Sequence, residues 1–254
     1  MTLSIAPPAL KTRNPNLPIA PTFRDQALAD ALAFYDFATM QSATVLTDLS
    51  GRGNHGIFNV APVLTADGWS MNGTTYFDMP DDLGDTAVAH FMALKVTALS
   101  DVNIGGNIDT STGSKGTRFF HGVVGGAVTL QAQVGPSNTV SQPLTESVNP
   151  GMTTAQTAIW MAAVYNGRTI IERMDTGTAQ ASLRRLTAIE AGLPLANGIR
   201  WGRVRGIAGN GSSVARMGAL LTINLPRGMP SRATKIACAA LVRATMAARG
   251  VTAL

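Results

Sequence analysis

The stretch Asp48-Leu49-Ser50-Gly51-Arg52-Gly53-Asn54-His55-Gly56 lies between the alternating residues 44–47 and the short apolar run 57–60. Asp and Ser side-chain oxygens can bond nearby backbone N–H groups, Asn tolerates left-handed dihedrals, and three glycines permit positive φ. The segment therefore predicts a tight turn joining two strands of an all-β domain. Asp48, Ser50, Gly51, Gly53, Asn54 and Gly56 mark that turn, with Asp48 and Asn54 expected to hold it through their side-chain oxygens. Gly51-x-Gly53-x-x-Gly56 also matches a dinucleotide-binding fingerprint, which requires a helix after it to receive the pyrophosphate. The next residues here are Ile57-Phe58-Asn59-Val60-Ala61-Pro62, a strand-like run broken by proline, so the match is accidental.

Working outward, other turn signals repeat the theme. Asn72-Gly73 separates 68–71 from 75–79, and Asn166-Gly167 separates 158–164 from 169–173; each Asn-Gly pair predicts a hairpin. Strands are further expected over 32–37, 90–99, 117–121, 127–134, 178–186, 198–203 and 215–225. Residues 101–116 read as loop, and 135–156, with Pro136, Pro143 and Pro150, as a long surface excursion. The period then changes. Over 231–249, Ser231 is a cap after Pro230, Ile236, Ala237, Ala240, Leu241 and Ala244 form an apolar face, and Gly250 is the stop, which predicts a helix docked on the sheets. A short helix is expected over 23–31. Residues 1–22 carry Pro7, Pro8, Pro15, Pro18 and Pro21 and read as an extended arm, so the organisation is 1–22 arm and 23–254 β domain.

The chain has 254 residues, 45% hydrophobic and only 14% charged, against about 25% charged in an average soluble domain. That balance favours burial against partners or other copies, hence a homo-oligomer. The net charge of +5 is scattered rather than clustered, which argues against a nucleic-acid footprint. A single cysteine, Cys238, excludes an internal disulfide, and its Ala-rich helical surroundings make it a small buried residue. No run approaches the roughly 20 apolar residues that span a bilayer, and no secretory pattern opens the chain.

With these elements in order, the chain resembles the laminin-G-like, concanavalin A-like jelly roll. The resemblance rests on Phe34-Tyr35-Asp36-Phe37, the Asp48–Gly56 turn, Pro62, and Trp69-x-Met71-Asn72-Gly73-Thr74-x-Tyr76-Phe77, and is sharpest over 33–80. It implies an antiparallel β-sandwich with a closing C-terminal helix, of the kind found in tailed-bacteriophage virion proteins. On that basis the expected function is a non-enzymatic structural protein of a phage particle. It would be a decoration, head-fibre or tail-associated module, made in the host cytoplasm and bound to capsid or tail proteins and to copies of itself. The alternative is a carbohydrate-binding module for host surface glycans.

Relatives of that fold also imply calcium near the sheet rim. Asp78, Asp81, Asp82 and Asp85 are the candidate ligands by residue type, the competing reading being a solvated acidic loop. Glycan hydrolysis would need two carboxylates facing one cleft, and Glu146, Glu172 and Glu190 stand in no such spacing. His55, His90 and His121 form no metal-ligand pair. No enzyme is therefore expected. Trp69, Trp160 and Trp201 sit in apolar strands and read as core, leaving Tyr165, at a hairpin tip, as the exposed aromatic available to a glycan.

Overall fold

The computed structural model describes residues 27–80, 87–97, 102–106, 116–124, 127–135, 144–152, 156–165, 168–174, 184–187, 199–203, 215–226 and 228–253. Its strands are β1 Ala31–Met40, β2 Val45–Asp48, β3 Gly56–Phe58, β4 Leu64–Thr65, β5 Gly68–Met71, β6 Phe77–Asp78, β7 Ala87–Val96 and β8 Val102–Gly106. They continue as β9 Gly116–Val124, β10 Ala127–Gly135, β11 Leu144–Met152, β12 Thr157–Tyr165, β13 Arg168–Arg173, β14 Arg184–Thr187, β15 Arg200–Trp201 and β16 Ala215–Asn224, and the chain then enters helix α1, Arg232–Ala247. The arm and most of the expected first helix lie outside the described residues, and so do Asp81, Asp82 and Asp85.

These strands form one antiparallel sheet in the order β11-β10-β9-β8-β15-β6-β3-β2-β1-β16-β7-β12-β13-β14, with β5 attached to β16 and β4 to β5. The sheet curls until its two ends, β11 and β14, lie beside each other. Curling encloses a core of inward residues from both layers, among them Tyr35, Phe37, Phe58, Trp69, Phe77, Met92, Trp160 and Trp201. A second core lies on the opposite face of β1, β16, β7 and β12, where α1 docks on Phe34, Phe91, Met161 and Leu221.

Residues buried on both faces explain why β7, β12 and β16 read as nearly continuous apolar runs instead of alternating ones. The side facing the helix is built largely from small residues, Ala89, Ala93, Ala163 and Ala219, which let α1 approach closely. Ser231 caps the helix, its Oγ accepting the N–H of Thr234 at 3.1 Å. The buried face of α1 is centred on Cys238, Leu241, Val242 and Met246, whereas Ile236, expected inside, is 52% exposed. Alanines dominated the expected face, yet their single methyl groups have little preference for burial. The larger Val242 and Met246 set the rotation.

Three local expectations are corrected. Asn72-Gly73 does form a turn, with Gly73 at φ 73° and Asn72 Oδ1 accepting the N–H groups of Thr74 and Thr75, but it closes no hairpin. Its flanks diverge: β5 pairs with β16 and β4, while β6 pairs with β3 and β15, so the turn crosses between layers. The expected loop 101–116 contains β8. The expected excursion 135–156 contains β11, at the end of the sheet path, and its Pro150 falls at the register shift between the pairs Val128↔Met152 and Leu130↔Val148.

Candidate functional site

The Asp48 turn connects β2 to β3, which pair through Val45↔Ile57 and Leu46↔Gly56. The Asp48 carboxylate organises it from within, its side chain largely buried. Oδ1 accepts the N–H of Phe34 and of Ser50, each at 2.9 Å, while Oδ2 accepts the Ser50 hydroxyl at 2.8 Å and the Asn54 N–H at 2.9 Å. Asn54 acts through its amide nitrogen, contrary to expectation, donating to Leu32 O at 2.7 Å. Its own carbonyl accepts the Tyr35 hydroxyl at 2.6 Å. Burial, and then the nearby Asp48 charge, keep that phenol protonated well above the ordinary range. His55 Nδ1 accepts the Asp48 N–H at 3.1 Å. Gly51 and Gly53 take φ of 82° and 79°, and a Cβ on Gly56 would come within 2.9 Å of the Phe77 ring. The Arg52 guanidinium donates to Ala29 O at 3.1 Å, so the turn is fastened also to the segment just before β1.

A different group of residues faces outward. Across β3, β6, β15 and β8, register places Ile57, Asp78, Arg200 and Gly106 side by side. Their chain neighbours Phe58, Phe77 and Trp201 are buried inside the curl, so strand alternation puts this row on the opposite face, where Ile57 is exposed, Asp78 and Arg200 are half-buried and Gly106 is buried. Arg200 forms a two-point bridge to Asp78, Nε to Oδ1 and Nη2 to Oδ2, both at 2.8 Å. Its guanidinium carbon lies 3.8 Å from the centre of the Tyr76 ring. Tyr76 is positioned in turn by Asn59, whose Oδ1 accepts the Tyr76 N–H at 2.8 Å and whose Nδ2 donates to Thr74 O at 3.1 Å. The result is a planar charged pair resting on an aromatic ring, rigid because each member is held at two points.

Beside this pair in the ladder lies an exposed apolar side chain, Ile57. Ile57 is 61% exposed, and Val60, Val63 and Leu64 are also exposed; among the described residues, these four and Ile236 are the exposed large hydrophobic side chains. Four of the five thus occur within eight consecutive residues; of these Ile57 lies beside Asp78, while Leu64 belongs to β4, paired with β5. Such a concentration marks a surface for interaction, since scattered single apolar residues would need no explanation.

The structure assigns the residues singled out in the sequence to different places. Asp78 is engaged by a guanidinium, and among the described residues no three His, Cys, Asp or Glu side chains group to hold a metal. Tyr165, expected to be exposed, shares the face of Ile159, Met161 and Ala163 and packs partly against the core beneath α1. Trp69, Trp160 and Trp201 are buried. Glu172 receives Lys235 Nζ at 2.6 Å, tying β13 to α1. His90 is wholly buried, its Nδ1 2.9 Å from Thr222 Oγ1. Sequence reasoning missed Tyr76 and Arg200. The available signal was an arginine next to Trp201 in an alternating strand, but its pairing with Asp78, 122 residues away, has no local trace.

No family model matches the chain, and no curated protein matches it in sequence. Solved structures do match its fold. A mutant of Trypanosoma rangeli sialidase displaying trans-sialidase activity aligns with TM-score 0.53 and 10% identity, over 86% of this chain and 33% of that one. An arabinofuranosidase complexed with arabinofuranosyl-α-1,2-xylobiose aligns with TM-score 0.50 and 14% identity, over 80% of this chain and 51% of that one. A GH54 α-L-arabinofuranosidase soaked with a cyclic sulfate inhibitor aligns with TM-score 0.51 and 14% identity, over the same shares. The chain therefore spans a third to a half of the length of these proteins, and at such identities the likeness concerns the fold.

These neighbours correct the sequence-based expectation of function. A non-enzymatic phage structural protein was expected, and the structures of similar fold are instead glycoside-acting enzymes. The expectation that the chain is not an enzyme is overturned with it, because the argument from carboxylate spacing along the sequence does not reach the three-dimensional arrangement.

Proposed function

We propose that this chain is a glycan-recognition domain, a β-sandwich of the jelly-roll, concanavalin A-like kind, whose outward face at Tyr76, Asp78 and Arg200 contacts sugar. The observation that carries the reading is the juxtaposition of a hydrogen-bonding charge pair on an aromatic ring with the exposed aliphatic side chain of Ile57 in one ladder. Sugars present the same two chemistries, hydroxyl groups around a ring edge and C–H groups on its faces, so a surface offering both within one ladder of strands is complementary to them. The fold likeness to a sialidase and to arabinofuranosidases supports the same class of ligand. Oligosaccharide binding is tested by titration calorimetry on the whole chain, alongside assays for release of reducing sugar. Binding that Tyr76→Ala weakens at unchanged melting temperature supports this reading. Absence of binding to a broad oligosaccharide panel at millimolar concentration overturns it.

A further inference from the structure

The turn before β1 and the connection from β16 to α1 frame a cleft of about 340 Å³, with Asp30, Asn224, Pro226, Gly228, Pro230 and Thr234 in its walls. The walls are tied together where Asp30 O accepts the Asn224 N–H at 2.8 Å. In the sheet, β16 is separated from β6 by β1, β2 and β3, so this cleft is distinct from the Tyr76 face. We infer that it binds a small molecule through a primary ammonium group, with Asp30 as the counter-ion. Pairing sets Asp30 apart. Among the acidic side chains described, Asp36 is bridged to Arg249, Asp67 to Lys95 and Arg216, Asp78 to Arg200 and Glu172 to Lys235, while Asp48 accepts three backbone N–H groups. Asp30 alone of this set has neither an ion pair nor a hydrogen bond to its carboxylate. In a chain with 20 Lys and Arg against 15 Asp and Glu, a carboxylate left out of that pairing is available to a cation from outside.

The other walls suit the same ligand. An ammonium group carries three donors and no acceptor, so it needs oxygens around it. Asn224 Oδ1 accepts the Leu225 N–H at 2.9 Å and keeps a second lone pair, and the Thr234 hydroxyl, 2.9 Å from Ser231 Oγ, supplies a further oxygen. Asn224 Nδ2 donates to no residue, which leaves it for a hydroxyl or carbonyl elsewhere on the ligand. Pro226 and Pro230 offer CH2 groups to its carbon skeleton. The cleft volume is at the lower end of the range for small-molecule sites, so the ligand is the size of a monosaccharide or a short diamine. Because Asp30 is exposed, the contact is partly screened, and binding is weak and sensitive to salt.

The isotope-labelled whole chain is titrated with glucosamine, putrescine and N-acetylglucosamine and followed by nuclear magnetic resonance. Glucosamine and putrescine, which carry primary ammonium groups, should shift the backbone signals of Asp30, Asn224 and Thr234, and added salt should weaken the effect. N-acetylglucosamine, whose nitrogen is an uncharged amide, should leave those signals in place. Tighter binding of glucosamine than of putrescine assigns the ammonium to an amino sugar, and the reverse order to an aliphatic amine; either supports the site. Asp30→Asn, of nearly the same shape at an exposed position, should weaken binding about fivefold, and Asn224→Asp, which adds a second carboxylate, should tighten it by about as much, with melting temperatures measured in parallel. Tyr76→Ala should leave these shifts unchanged, so that the fate of the sugar face and of this cleft are read separately. Equal shifts with N-acetylglucosamine, or ammonium binding that Asp30→Asn does not alter, overturn the proposal. So does a lowered melting temperature of Asp30→Asn in a chain whose wild type binds neither amine, which assigns the carboxylate to the start of α1 instead.

Discussion

The carboxylate of Asp48 accepts the backbone N–H of Phe34, fourteen residues earlier in the chain, at 2.9 Å. One side chain thereby fastens the turn to the middle of β1 while also holding Ser50 and Asn54. Asp48→Ala removes the acceptor for three backbone N–H groups at once. A loss of about 2–4 kcal/mol is expected, because hydrogen bonds to charged groups contribute more than neutral ones and a buried unsatisfied donor is costly. Urea unfolding monitored by circular dichroism measures it. An unchanged midpoint together with lost sugar binding would reassign the turn from architecture to ligand contact.

His90 makes stability depend on pH. Burial, with Phe119 and Trp201 against the ring, pushes its pKa down to about 3. The unfolded chain takes up a proton near the ordinary value of about 6.5. Since the unfolded state binds the proton first, the His90 contribution is complete above that value and is lost as pH falls from 6.5 toward 3. The slope is up to about 1.4 kcal/mol per pH unit. Carboxylates titrate in the lower part of the same window, so the test is a difference. The urea midpoint of the wild type should fall relative to that of His90→Leu as pH is lowered from 7 to 4, and parallel curves would refute the assignment.

Gly68 and Gly228 take almost the same dihedral, φ 123° and 121°, in different surroundings. A Cβ on Gly228 would meet nothing within 4 Å, whereas on Gly68 it would lie 2.1 Å from the Met217 carbonyl oxygen. Gly228→Ala should cost about 1–2 kcal/mol, from backbone conformation alone. Gly68→Ala adds an overlap with backbone that cannot move without separating β5 from β16, and should fail to yield folded protein. Soluble expression and thermal melts of the two variants distinguish strain from crowding.

Ser231→Ala should destabilise the chain by about 1 kcal/mol through loss of the cap on Thr234. Ser231→Asp should be neutral or stabilising, since the first turn of α1 contains no acidic residue to complement its dipole. Thermal melts of both variants check the sign.

Cys238 reports on the same helix. It is the chain's single cysteine and is buried, its thiol donating to Ala27 O at 3.9 Å, with burial first and the charge of Asp30 second pushing its pKa up to about 12. Labelling by a thiol reagent at neutral pH should be negligible in native buffer and proceed at the rate of opening as urea is added. Fast native labelling would show that α1 does not stay docked.

Residues whose role is set by their near neighbours were legible in the sequence. The Asp48 turn, the pairing of β12 with β13 from Tyr165↔Arg168 onward, the apolar runs of β7 and β16, and the capped start of α1 were all signalled by residues a few positions apart, or by a burial pattern that period alone records. The Asn72-Gly73 turn shows where that ends: its local geometry comes from the dipeptide, but whether its flanks pair with each other depends on which distant strands compete for them.

The sequence by itself therefore determined an antiparallel β architecture with a C-terminal helix, its turn residues and its buried tryptophans. Only the tertiary structure decided which of the remaining polar residues meet. Asp78 and Arg200 are 122 positions apart, and each is an ordinary surface charge until β6 and β15 become neighbours through the curling of one sheet. The same curling left Ile57 and Val60 in solvent and drew Tyr165 toward the helix. Strand order is a property of the whole chain, fixed by which arrangement buries both faces of the central strands at once, and no local stretch encodes it.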